Sequence, residues 1–162
     1  MRGAVLVAVC GLVGGAQASI FHFVAHIDGA QDNTPSPATG VSFGQYDSVA
    51  NTYSFDWSIT DNLIGTPATP GAHIHNAAEG SNGPIVFHFS NPDGTWPLVG
   101  SATWNNVPAA MVDELFAGRL YVNFHTTAHP AGEVRGQIYL IPSPASAVLF
   151  GIGALALVHR RR

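Results

Sequence analysis

The stretch Thr52-Tyr-Ser-Phe-Asp-Trp-Ser-Ile59 decides the fold class of this chain. Its large apolar side chains stand at every second position, with polar side chains between them. This period of two is typical of a β-strand with one buried face, because successive side chains of a strand point to opposite faces. The stretch from Phe21 to Asp28 repeats the alternation. Both stretches predict strands of an antiparallel sheet.

Turn residues divide the rest of the chain into short apolar segments. Asn106 is expected to cap a helix over about 107–117, with Pro108 in its first turn and Gly118 at its end. The sequence predicts an all-β fold, namely an antiparallel, Greek-key-like β-sandwich or flattened barrel of seven or eight strands with one short helix. Further strands are expected at 40–46, 72–75, 84–89, 101–104, 119–126 and 133–140.

The apolar phase of the strands predicts the core, because the residues of one phase share one face of the sheet. The expected core residues are Phe21, Phe23, Phe43, Tyr53, Phe55, Trp57, Ile74, Phe87, Leu120, Val122, Phe124 and Ile138.

The charge distribution excludes one class of partner. Residues 19–141 hold all 10 acidic residues and only two basic ones, Arg119 and Arg135, and the chain has no lysine. An acidic surface repels phosphate backbones, so nucleic-acid binding is excluded. No Ser–His–Asp order, nucleophilic cysteine or nucleotide-binding loop is present in the sequence, so we expect a protein that is not an enzyme.

The amino terminus predicts export. A basic start, an apolar run over 4–13 and a small-residue site ending at Ala18 are typical of a signal peptide, here residues 1–18, cleaved before Ser19. Cys10, the only cysteine, offers a lipoprotein site as the alternative, which the bulky Val9 before it disfavours. Removing the signal peptide leaves no cysteine, so we expect no disulfide.

The carboxyl terminus predicts a membrane anchor in residues 142–162. Pro142, Ser143 and Pro144 precede an apolar run over 145–158, and three arginines end the chain. Counted from residue 141, the run approaches the ~17–25 residues that a membrane-spanning helix needs. The arginines are expected to stay in the cytoplasm, with the domain over 19–141 outside it. The alternative, a helix of the domain core, is disfavoured because the run has no polar stripe.

Four histidines form the candidate metal site. His73 and His75 are two apart on a predicted strand and so share a polar face, and His125 and His88 occupy polar faces of their own strands. A His-x-His pair with a third imidazole is typical of zinc or copper sites, so His73, His75 and His125 are the candidate ligands and His88 a fourth. The alternative is that these histidines bind loop carbonyls and hold turns.

Two charged residues near the end of the domain are candidates for a structural ion pair. Glu133 and Arg135 share a face of the last predicted strand, in a domain that has few other charges. A bridge between Arg135 and a carboxylate is expected to brace that strand.

Three motifs carry a family resemblance. They are Ala72-His-Ile-His75 with Gly83-Pro-Ile-Val86, Gly118-Arg-Leu-Tyr-Val-Asn-Phe-His-Thr126, and Pro130-Ala-Gly-Glu-Val-Arg-Gly-Gln137. In this order they resemble the chordin-type (CHRD) domain, and the resemblance covers residues 21–140. Asn76, Phe124 and Ala131 depart from the family pattern, which more often has glycine, valine and glycine there.

The tail resembles the PEP-CTERM sorting signal, which joins a Pro-x-Pro element to a membrane segment and terminal arginines. It departs from that signal at Ser143, where glutamate is usual. The resemblance implies processing by an exosortase-type enzyme in a bacterium. The chain is therefore predicted to reach the cell surface or extracellular matrix as a binding or structural module for an unidentified surface ligand or polysaccharide.

The His-x-His pair on a β-strand is also similar to the metal strand of copper–zinc superoxide dismutase. This similarity implies the alternative function, a periplasmic or extracellular copper- or zinc-binding protein with a possible dismutase-like activity. No cofactor is firmly predicted, and copper or zinc is the candidate.

Overall fold

A computed structural model describes residues 19–142. The predicted signal peptide to Ala18, Cys10, the sorting residues Ser143 and Pro144, and the apolar run over 145–158 lie outside the described residues. No helix within residues 19–142 is both long and apolar enough to cross a membrane.

The described chain forms nine strands, one α-helix and a short 3-10 helix. Every strand pairing is antiparallel. The elements in chain order are β1 Ile20–Asp28, the 3-10 helix Ala30–Asp32, β2 Thr39–Asp47, β3 Thr52–Ile59, β4 Pro67–Asn76, β5 Ile85–His88, β6 Val99–Asn105, α1 Ala109–Phe116, β7 Leu120–Thr126, β8 Val134–Gln137 and β9 Tyr139–Leu140.

Eight strands follow one another in a single sheet, in the order β5-β4-β7-β8-β1-β2-β3-β6, and β9 pairs with β1. The sheet curls into a nearly closed barrel, which confirms the predicted all-β antiparallel fold in its flattened-barrel form. The two end strands meet through side chains: the rings of Phe87 on β5 and Trp104 on β6 stack with centroids 5.0 Å apart. We call this junction the seam.

Aromatic side chains fill the barrel. Phe55 is buried among Tyr53, Trp57 and Phe89, with ring centroids 5.0–6.0 Å away. The predicted alternation of β3 is confirmed, because all four of its large apolar side chains are buried. Of the predicted core residues, those fully buried are Phe23, Tyr53, Phe55, Trp57, Ile74, Leu120, Val122, Phe124 and Ile138, while Phe21 and Phe87 pack against them half-buried.

Phe43 is the exception, and its predicted burial is wrong. It is 52% exposed, whereas Ser42 and Tyr46 of the same strand are buried. The barrel has little room beside Gly44, which lies on the inward face: a Cβ at Gly44 would overlap the ring and hydroxyl of Tyr53. β2 therefore has the opposite phase to the one that its hydrophobicity indicates.

The helix α1 packs against the aromatic core. Its Phe116 ring contacts the rings of Phe21, Phe23 and Tyr46 at 4.8, 5.5 and 5.9 Å. The N-cap position is held by Pro108 and not by Asn106, so that part of the helix prediction is wrong. Gly118 follows the helix with a left-handed φ of 68°, as expected for a terminating glycine.

The last predicted strand, 133–140, is split into β8 and β9. Ile138 lies between them, buried, and its backbone N–H donates to the Leu120 carbonyl. β9 then pairs with β1 beside β8, and the described chain ends at the exposed residues 141 and 142.

Candidate functional site

The outer face of β4 and β7 carries a group of polar side chains that are buried together. All seven residues of β7 are buried, although its side chains alternate between the two faces. The inner face carries Leu120, Val122 and Phe124, and the outer face carries polar residues. Loops cover that outer face, so its polar side chains are buried and do not face solvent.

Three loops supply the cover, and each contacts a polar side chain of the sheet. The loop over 77–84 presents the Gly83 carbonyl to His75, and the loop over 127–133 presents the Pro130 carbonyl to His125. The 3-10 helix brings Asp32 to Arg135. Residues far apart in the sequence therefore enclose one polar cluster.

The structure brings His73, His75 and His125 together. One ring nitrogen from each of the three lies within 4.8 Å of the others, and all three side chains are buried. Nδ1 of His73 lies 3.2 Å from Nε2 of His125. His73 and His75 occupy the same face of β4, and His125 projects from the adjacent strand, as the alternation predicts.

Hydrogen bonds set the tautomers of two of these rings. A carbonyl oxygen can only accept, so Nδ1–H of His75 donates to Gly83 and Nδ1–H of His125 donates to Pro130, each at 2.9 Å. The Nε2 atom of His75 therefore keeps a free lone pair, and Nε2 of His125 accepts from Nδ1–H of His73 at 3.2 Å. Such a carbonyl contact is the usual way in which a protein orients a metal-binding imidazole.

Burial keeps the three imidazoles neutral. Burial, with the neighbouring His125 and His88, lowers the pKa of His73 to about 4. Burial also lowers the pKa of His75 and of His125 below its ordinary value, although hydrogen bonds to the loop carbonyls oppose the shift. Neutral imidazole is the form that binds metal ions.

His88, the candidate fourth ligand, lies beside the cluster but outside it. It stands directly opposite His73 on β5, with ring centroids 4.5 Å apart, and its side chain is exposed. It is not one of the three residues whose nitrogens converge.

Arg135 anchors the polar face next to the histidines. Its guanidinium lies 4.0 Å from the ring centroid of Tyr121, and that ring stacks on His75. The guanidinium pairs with Asp32 at 3.5 Å and donates to the Asn82 side chain. The carboxylate that pairs with Arg135 is thus Asp32 and not Glu133.

Glu133 is buried in a separate network. Its carboxylate accepts hydrogen bonds from the Ser36 and Thr126 hydroxyls and from the backbone N–H groups of Ile64 and Gly65, at 2.6–3.0 Å. Burial alone would raise the pKa of Glu133, but these hydrogen bonds outweigh burial and hold the pKa below its ordinary value. Glu133 thereby ties the loop after β3 to the end of β7.

A family model for the CHRD domain matches residues 23–138. The chain belongs to the CHRD domain family. This confirms the resemblance carried by the three motifs, and the matched range includes the histidine cluster, Glu133 and Arg135. Searches of curated proteins and of solved structures found no match.

Two residues of the polar face were not among the candidates from the sequence. Asp32 lies in the segment expected to be a turn, and no local pattern distinguishes it from other loop aspartates. Asn123 stands between Tyr121 and His125 on the polar phase of β7 and belongs to the second CHRD motif, which is the signal that could have indicated it.

Proposed function

We propose that this CHRD domain is a binding module that acts outside the cytoplasm, and that it binds a zinc or copper ion through His73, His75 and His125. Membership of the CHRD family suggests a binding or structural module. The convergence of three imidazole nitrogens within 4.8 Å is the observation that carries the metal proposal.

The spacing of the nitrogens suits a metal ion. Two nitrogens that bind one tetrahedral zinc at about 2.0–2.1 Å lie roughly 3.3 Å from each other. The separation between Nδ1 of His73 and Nε2 of His125 is 3.2 Å. In the ion-free protein one proton lies between these two atoms, and a metal ion would take the place of that proton.

The alternative interpretation, in which the histidines only hold the loops, explains less. It accounts for the hydrogen bonds from His75 to Gly83 and from His125 to Pro130. It leaves Nε2 of His73 and Nε2 of His75 buried without a hydrogen-bond partner in the described structure. Buried polar atoms are usually paired, so Nε2 of His75 supports a ligand. His73 would bind the ion through Nδ1, so its Nε2 is not evidence for the ion.

Metal content and calorimetry test the proposal. The purified exported protein is expected to bind one zinc or copper ion with a Kd below about 10 µM. The His73→Ala/His75→Ala variant should lose that binding. The control is His22→Ala/His26→Ala, which removes two exposed histidines from one face of β1 and should bind as the parent does. Equal binding by the parent and the His73→Ala/His75→Ala variant would make the histidines structural.

A dismutase-like activity is the second candidate, favoured by the placement of His73 and His75 on one strand of a β-barrel. Superoxide turnover by the copper-loaded protein tests it. A protein that binds copper but shows no turnover above that of free copper has the binding function alone.

We also propose that the chain is exported, anchored in the membrane by its apolar tail, and then processed by an exosortase-type enzyme near Pro142–Pro144. The support is the sequence of both termini, together with the exposed position of residues 141 and 142 at the end of the domain. The processed protein would lie at the cell surface or in the extracellular matrix, where its CHRD domain could also contact a polysaccharide.

Deletion and sequencing test the export proposal. Removing Ala147–Arg162 should release a soluble, folded protein, and the exported chain should begin at Ser19. Serine in place of the three terminal arginines should weaken retention, because each arginine costs about 2.5–3.5 kcal/mol at the membrane centre. A truncated chain that precipitates unfolded would place the tail in the domain core, and a lipid-modified Cys10 would support the lipoprotein alternative.

A further inference from the structure

Unpaired polar atoms concentrate at the histidine cluster. Within residues 19–142, the buried side-chain atoms without a hydrogen-bond partner include Nε2 of His73, Nε2 of His75, Oδ1 of Asn123 and Oδ2 of Asp32. Native proteins leave few such atoms, and a group of them at one place indicates a bound ion or water. Nε2 of His75 belongs to the proposed metal site, whereas His73 would bind the ion through Nδ1. The two oxygens need a separate explanation.

Asn123 lies within the cluster. It stands directly opposite His73 across the β4–β7 ladder and two residues before His125 on the same face of β7. Side chains of directly opposed residues have Cβ atoms about 4.5–5.5 Å apart, so Asn123 is a neighbour of two proposed ligands. Its amide nitrogen contacts the Ala131 carbonyl at 3.4 Å, which leaves Oδ1 unpaired.

Asp32 reaches the same point from the covering 3-10 helix. Its side chain is only 7% exposed, and Oδ1 pairs with Arg135. Gly132, with a φ of +128°, shows that Asp32 and Asn123 meet: a Cβ at this position would overlap Oδ2 of Asp32 and both amide atoms of Asn123.

An amide oxygen and an ionised carboxylate oxygen both accept hydrogen bonds, so they cannot satisfy each other. Burial raises the pKa of Asp32, and the neighbouring Arg135 and Asn123 side chains oppose that shift and favour the ionised form. A molecule with two O–H donors between them would satisfy both. Metal sites with only three protein ligands keep a fourth position for water, unlike closed structural sites.

We propose that the ion at His73, His75 and His125 holds a water as its fourth ligand, that Asn123 Oδ1 and Asp32 Oδ2 accept the hydrogen bonds of this water, and that a small anion can replace it. This inference rests on the proposed metal function. It makes the site open and exchangeable, and it assigns Asn123 and Asp32 as positioning residues.

Cobalt(II) provides a test, because its visible spectrum reports its ligands. Azide added to the cobalt-loaded protein should change the spectrum in a saturable way. Asp32→Asn should tighten azide binding roughly tenfold or more, since it removes a nearby negative charge in a buried setting. Asn123→Asp adds a charge and should weaken azide binding. Asp56→Asn, on the exposed outer face of β3, is the matched control and should change nothing.

The outcomes separate this inference from the metal function. A protein that binds no cobalt, zinc or copper overturns both. A protein that binds cobalt with a spectrum indifferent to azide keeps the metal function and overturns the open position. A spectrum altered by His88→Ala would assign the fourth position to that histidine and would also overturn the inference. Tighter azide binding by Asp32→Asn together with weaker binding by Asn123→Asp supports the inference. Changes of the same sign in both variants refute it.

Discussion

Replacing Glu133 by glutamine should destabilise the domain strongly, although the two side chains have nearly the same shape. The glutamine oxygen can still accept from the Ser36 hydroxyl and the Ile64 N–H. Its amide nitrogen then faces the Gly65 N–H, a donor against a donor. An unsatisfied buried N–H costs about 1–3 kcal/mol. The remaining hydrogen bonds lose their charge assistance, at about 1 kcal/mol each.

The expected loss is about 4 kcal/mol in the free energy of unfolding. For a domain of about 120 residues, this corresponds to a fall in Tm of about 15 °C, measured by circular dichroism at neutral pH. Glu114→Gln is the control. It removes the same charge from an exposed ion pair with Arg119 and should leave the Tm almost unchanged.

The pH dependence provides an independent check on Glu133. Its folded-state pKa is lowered, so its carboxylate contributes stability above the ordinary pKa of about 4.3 and loses it as the pH falls through the folded pKa. The Tm difference between the parent and Glu133→Gln should therefore shrink below about pH 4. A glutamine variant that melts within ~3 °C of the parent at pH 7 would refute the role assigned to this network.

Two further pairs of variants test the barrel and the polar face. Phe55→Ala should lower the free energy of unfolding by about 3–5 kcal/mol, because Phe55 lies in the aromatic core. Phe43→Ala, on the solvent side of β2, should lower it little. Similar Tm values for the two variants would mean that the strand phases are wrong. Gly80→Ala should lower the free energy of unfolding by only ~1–2 kcal/mol, the cost of an alanine in a left-handed conformation. Nothing lies near a Cβ at this position. Gly132→Ala should carry the same conformational cost and lose a further ~1–3 kcal/mol, because its Cβ would overlap neighbouring side chains. Equal midpoints of urea unfolding for the two glycine variants would contradict this close approach of side chains at Gly132.

Local patterns predicted the strands well because the period of two is a property of neighbouring residues. The boundaries of β3 agree with the sequence, and both His73 and His75 share the face that their spacing predicts. The phase of β2 could not be predicted, because Gly44 lies inward against the ring of Tyr53, which comes from another strand. Whether the strands form one sheet or two could not be predicted either, because it depends on pairing between strands that are far apart in the sequence.

The candidate site shows the same division. The alternation of β4 and β7 indicated which histidines could meet, and the structure brings three of them together. Their burial was not predictable, because the cover comes from loops whose sequences carry only turn signals. The sequence pattern favours an ion pair between Glu133 and Arg135, because both residues are charged and lie two positions apart. The actual partners of Glu133, such as the Gly65 N–H, are mostly backbone and hydroxyl groups that a count of charges does not reveal.

The seam makes resistance to unfolding uneven around the barrel. β1 is hydrogen-bonded to strands on both sides, whereas β5 and β6 each pair with one strand. The rings of Phe87 and Trp104 stack across the seam between them. Amide groups of these two end strands that face the seam should exchange their hydrogens with solvent first, and β1 should exchange last. The barrel is thus expected to unroll from the seam in small fluctuations. In such a state β6, whose Val99 is already 69% exposed, would offer an unpaired strand to another chain.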